Sequence, residues 1–286
     1  MQGLRRRLAG RGAAGSGPRG YAGLEETLLR EPGSAAAAAP ADRGEGGLVG
    51  LLVQVLAHVA GLFCNLWPGA PWALPALSAE QEAELAALKA RNVPFDGADP
   101  AHRGALGELW GHAFPDAGPC PAGIKTERWK DMGWQGTDPG TDFRGAGFLA
   151  LENLNYLAAT YPQAFRRLQH KTQGTRSSWE YPFAVAGVNV TFMLLELFTL
   201  NKDALRLQEP APRAFAGMLG GGDPHVFDDV YCAVFDLLDA VWLEQGATYM
   251  EFGQVQKAVK QRVEDALKAR PPPASAAALR EALGVV

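Results

Sequence analysis

Arg144 stands between Phe143 and Gly145, at the junction of a turn-rich loop and an apolar helical tail in WKDMGWQGTDPGTDFRGAGFLALENLNYL, Trp129 to Leu157. A guanidinium is permanently charged and presents a planar fork of donors, a shape that suits phosphoryl oxygens. Two roles follow from that chemistry. Arg144 can pair with Asp142 or cap nearby carbonyls, serving its own loop. It can also be offered outward on a stiff mount. During GTP hydrolysis, charge grows on the β- and γ-phosphate oxygens, and an arginine inserted by a partner protein raises the rate by about 10³–10⁵. Such an inserted arginine needs a rigid base and neighbours without bulk, which Gly145 and Gly147 supply. Residue chemistry alone leaves both roles open.

Other chemistries find little support. The chain contains no GxxxxGK[ST], HExxH or GxSxG motif, so a nucleotide-binding P-loop, a zincin site and a serine nucleophile elbow are not indicated. The five histidines, at 58, 102, 112, 170 and 225, lack paired metal-ligand spacing, and Cys64, Cys120 and Cys232 are scattered and odd in number. Neither a zinc site nor a disulfide framework is suggested, and no metal or cofactor is expected. Asp228, Asp229, Asp236 and Asp239 mix with a dense apolar stripe and read as a solvent-facing acidic stripe rather than a metal cluster. A formal net charge of −4 over 286 residues excludes a chain built overall to bind nucleic acid.

The elements that must hold Arg144 are helical. Residues 1–45 are low in complexity, with five arginines before the first acid and an alanine run after it, and predict disorder. An organelle transit peptide is the alternative for this segment, weakened by its scarcity of serine. Residues 46–70 hold an apolar helix. The charge-free span 46–67 is long enough to cross a membrane, yet Gln54, His58, Gly61 and Asn65 line one face. Docking on a protein core, lying on a membrane and spanning it therefore all stay open. Ser78-Ala79-Glu80-Gln81 forms a capping box that opens a lead helix, and VPFDGADP is a turn, together covering 78–99. Pro100, Pro162 and Pro182 each mark a helix start. FAVAGVNVTFMLLELFTL is apolar nearly all round, the pattern of a central helix. Two more helices run from Phe227 to Glu244 and from about Thr248 to Leu267. The tail, 269–286, reads as flexible. Alternating strand runs and hairpin signals are missing, so the fold class is all-α.

At this point the sequence resembles the ELMO-domain (ELMO/CED-12) family. The resemblance rests on W129-K-D-M-G-W-Q-G-x-D-P-x-T-D-F-R-G-x-G, on F148-L-A-L-E-N-L-N-Y-L, on Y181-P-F-A-V-A-G-V-N-V-T and, less strongly, on Y249-M-E-F. It spans residues 100 to 268, and its wording is closest to the plant and green-algal branch. The resemblance implies one helical ELMO domain. It further implies that short members activate GTP hydrolysis on Arf and Arf-like small GTPases, with the arginine of the DFRG motif as the inserted finger. Larger members act as scaffolds for a Dock-type exchange factor that activates Rac, and lack that arginine. The chain keeps Arg144 and shows no armadillo-like or pleckstrin-homology region, which places it with the first group. Carried over by position, Arg144 is the charge donor; Asp142, Phe143 and Gly145 hold its orientation; Gln135 and Gly136 adjoin the contact surface. Trp134, Ala146 and Ala150 depart from the animal pattern and put partner choice in question. The implied protein is cytoplasmic, with membrane association through 46–67 left open, and has no intrinsic enzymatic activity. A non-catalytic adaptor that binds a small GTPase or its exchange factor is the alternative.

Overall fold

The computed structural model describes residues 76–285. The expectations for disorder over 1–45, for an apolar helix over 46–70 and for membrane contact through 46–67 fall outside the described residues. Among those described, no helix is long and apolar enough to cross a membrane. The fold is all-α.

Helix starts follow the capping chemistry. Ser78 Oγ accepts from the Gln81 amide (3.2 Å) and Gln81 Oε1 from the Ser78 amide (3.0 Å), closing the box that opens α1, Ala79–Arg91. Asp99 caps α2, Pro100–Ala113, which begins on a proline. α3 spans Gly147–Thr160, α4 Pro162–His170 and α5 Phe183–Leu197. α6 is Pro210–Met218, α7 Val226–Gln245, α8 Phe252–Leu267 and α9 Ala276–Ala282.

α5 is buried on almost every side, as its unbroken apolar sequence requires. α3 and α7 pack on it, α2 and α4 cover α3, and α8 and α9 cover α7. A buried Asn153–Thr191 hydrogen bond (2.9 Å) fixes α3 against α5. The lead helix belongs to the same packed body: Gln81 Nε2 donates to the Leu219 carbonyl, and Glu84 accepts the amides of Gly220 and Gly222.

Two expectations are corrected. The tail is not simply flexible, because α9 docks on α7 with Leu279 fully buried and Arg280 paired to Asp236 at 3.0 Å. Leu279→Ala is expected to cost about 2–3 kcal/mol, read as a lowered urea midpoint at unchanged slope. Nor is the aspartate series of α7 a solvated stripe. Asp228, Asp236 and Asp239 are buried. Asp228 receives Arg91 at 2.7 Å, and Asp229 receives the hydroxyls of Tyr156 and Tyr161. Asp236 receives Arg167 and Arg280, while Asp239 receives Arg176 and the Tyr181 hydroxyl. A buried carboxylate is tolerated when hydrogen-bonded cations meet it, and here they arrive from elements far away in sequence. Burial, with the Asp229 carboxylate alongside, pushes the Tyr161 phenol up to about 12, so it remains the donor.

Candidate functional site

The loop that carries Arg144 is built from short turns with satisfied backbone groups. Thr126 Oγ1 accepts from the Arg128 amide at the start of a 3₁₀ turn, Glu127–Met132. The Thr126 amide donates to the Thr137 carbonyl (2.9 Å), closing the loop's neck. Asp138 caps a second 3₁₀ turn, Pro139–Thr141, through Gly140. The Gly147 amide then donates to the Phe143 carbonyl at 2.7 Å, so Phe143 to Gly147 form one tight turn just before α3.

Side chains fix that turn from within. Phe143 is buried between Phe95 (ring centroids 4.8 Å) and Trp134 (5.1 Å). Asp142, 1% exposed, accepts the Gln135 amide on Oδ2 at 3.1 Å. Ala146 is fully buried. Arg144, at the apex, is exposed. Among the described residues its guanidinium has no hydrogen bond or ion pair, and none joins it to Asp142. The local-pairing role is therefore not the one adopted. Beside it lies a groove of about 340 Å³, lined by Val93, Pro94 and Phe95 on one side and by Gly140 and Phe143–Gly145 on the other.

The glycines serve a purpose the sequence reading did not assign. A Cβ at Gly145 would stand 3.1 Å from the Phe192 ring, and one at Gly147 would stand 2.2 Å from the Val93 carbonyl oxygen. That carbonyl already accepts the Phe148 amide at 2.8 Å. Gly147 also holds φ +60°, a conformation that disfavours side chains. Both glycines thus let the chain close on itself, whatever they offer a partner. Gly147→Ala is expected to destabilise the protein by on the order of 2 kcal/mol and to shift the apex, read by a urea midpoint and amide chemical shifts from 143 to 148.

Of the anticipated site residues, Asp142, Phe143 and Gly145 do surround the arginine. Gly136 is half-exposed, and a Cβ there would make only an ordinary contact, 3.9 Å from the Asp138 amide nitrogen. Gln135 differs from expectation: its backbone holds Asp142, while its side chain lines a separate cavity behind the loop. The turn Val93–Phe95, which braces the apex from below, had no assigned role. Its only signal was the V-P-F-D wording, because contacts between positions some fifty residues apart carry no periodicity.

Comparison with known families matches residues 86–256 to the ELMO/CED-12 family. The chain belongs to this family. Similar proteins carry the same domain name. ELMO domain-containing protein A of Dictyostelium discoideum is 33% identical over 201 residues, covering 63% of this chain and 20% of that protein. ELMO domain-containing protein 2 of Mus musculus is 32% identical over 155 residues, 54% of this chain and 49% of that protein. ELMO domain-containing protein 1 of Pongo abelii is 28% identical over 193 residues, 61% and 56% respectively. Each match covers less than two thirds of the relative's own length. The ELMO region embraces the Arg144 loop, its Val93–Phe95 brace and most of the helices that pack around them. Among the described residues no group of His, Cys, Asp or Glu is arranged to hold a metal ion.

Proposed function

We propose that this ELMO domain activates GTP hydrolysis on an Arf or Arf-like small GTPase by inserting Arg144 in trans. The protein performs no chemistry of its own in this reading; the reacting nucleotide belongs to the partner. The supporting observation is the apex itself: an exposed guanidinium, without a hydrogen bond or ion pair among the described residues, on a turn whose residues Phe143 and Ala146 are buried. The backbone of the apex is already ordered, so insertion costs mainly the rotamer freedom of the arginine side chain. The guanidinium meets the developing phosphate charge without first breaking a salt bridge.

The test is single-turnover phosphate release from a panel of GTP-loaded Arf and Arf-like GTPases, with and without the protein. Acceleration of at least one member supports the reading. Acceleration of none removes it and leaves the adaptor reading, in which a GTPase or exchange factor is retained irrespective of nucleotide state.

A further inference from the structure

Behind the arginine loop lies a second cavity of about 400 Å³, between the Lys130–Gln135 segment, the end of α4 and the start of α5. Lys171 lines it. This residue ends α4 in a left-handed conformation, φ +50°, which carries its side chain back over the Tyr181 ring with Nζ 4.7 Å from the centroid. Among the described residues no acceptor or carboxylate meets that ammonium. Trp134 and Gln135 line the same wall, with the Trp134 indole N–H and the Gln135 side-chain amide nitrogen themselves covered.

We infer that this cavity is a binding site for a small monocarboxylate with an apolar or aromatic body, its carboxylate held by Lys171. The other charges select against larger anions. Lys130 and Lys171 are opposed in the lining by Asp131 and Glu180, so no net positive field would hold a compact, strongly hydrated anion such as phosphate, which also gains nothing from the apolar wall. Glu180 Oε1 is itself covered and unmet, which confines the guest's negative end to the Lys171 side. Met132, Tyr181, Pro182 and Phe183 supply apolar wall. At the lip, the Tyr249 amide donates to the Trp179 carbonyl (2.9 Å), and Trp179 and the adjacent Met250 are 52% and 61% exposed. Burial pushes the Lys171 amine down to about 8, against the opposing pull of Glu180. A carboxylate guest needs the ammonium, so its affinity falls as pH rises through that value. The other charged groups near Lys171 are Arg176, Glu180, Asp239, Lys130 and Asp131.

The inference stands apart from the role of Arg144. Its test is a titration of the intact protein with phenylacetate, followed through the indole N–H resonances of Trp134 and Trp179, assigned with Trp→Phe variants. Saturable shifts are expected with phenylacetate at pH 6.5, weakening about tenfold by pH 9. The neutral isostere phenylacetamide and inorganic phosphate should give none. Lys171→Met should weaken binding at least tenfold. Equal shifts with the amide, equal shifts with phosphate, or no shift with phenylacetate would each overturn the proposal. The amide and phosphate arms need no variant, so they decide the matter even if Lys171→Met fails to fold.

Discussion

Alanine at position 144 is expected to leave folding intact and to remove the acceleration of GTP hydrolysis on a responsive Arf-family GTPase, by a factor of about 10³ or more. Stability should not change, because Arg144 is exposed and has no hydrogen bond or ion pair among the described residues. Lysine should fail nearly as badly. An ammonium is a compact point charge without the planar fork that spans two phosphate oxygens, so charge alone does not restore the contact. The readout that isolates the transition state is affinity for the GDP–aluminium fluoride form of the GTPase. Wild type should prefer it over the GTP form, and Arg144→Ala should bind both alike. Equal acceleration by wild type, Arg144→Ala and Arg144→Lys would refute the finger.

The second large effect is structural. Asp239→Asn is expected to destabilise the protein by about 3–5 kcal/mol, because it removes the carboxylate that receives Arg176 bidentately and the Tyr181 hydroxyl deep in the fold. Arg176 keeps Glu180 at 3.3 Å, which places the loss towards the lower end of that range. The penalty stems from leaving a nearly buried cation without its main partner. A second substitution, Arg176→Met, should therefore recover a large part of it. Urea midpoints of the two single variants and the double variant give the coupling directly. Strict additivity would show that the pair is not what holds this region.

Local chemistry made much of the fold legible. The Ser78–Gln81 box, the proline starts at Pro100 and Pro162 and the all-apolar α5 depend on neighbours within a turn or two, and each is where the sequence placed it. α3 starts only at Gly147, because the left-handed backbone of that residue must first close the apex. α6 escaped notice, since PAPRAFAGM is short and rich in proline, glycine and alanine. The aspartates of α7 misled for a deeper reason. Their partners Arg91, Arg167, Arg176 and Arg280 lie 137, 69, 63 and 44 residues away. At that separation an acid beside an apolar stripe looks the same whether water or a guanidinium faces it. For the site, the motif located Arg144 and the buried anchors on either side. It could not tell that the glycines fit against Phe192 and Val93, since that depends on which distant surfaces meet.

One consequence concerns how the protein can be cut. Guanidiniums from a lead helix, a short helix, a polar loop and the last helix all converge on α7, like guy ropes on a mast. A recombinant piece trimmed to the conserved-family span, 86–256, would sever the rope tied at Arg280 and unroof Asp236. It would also lose the Gln81 and Glu84 anchors of α1. The smallest piece worth expressing therefore reaches from Ser78 to Leu283, well past both ends of the stretch that relatives share.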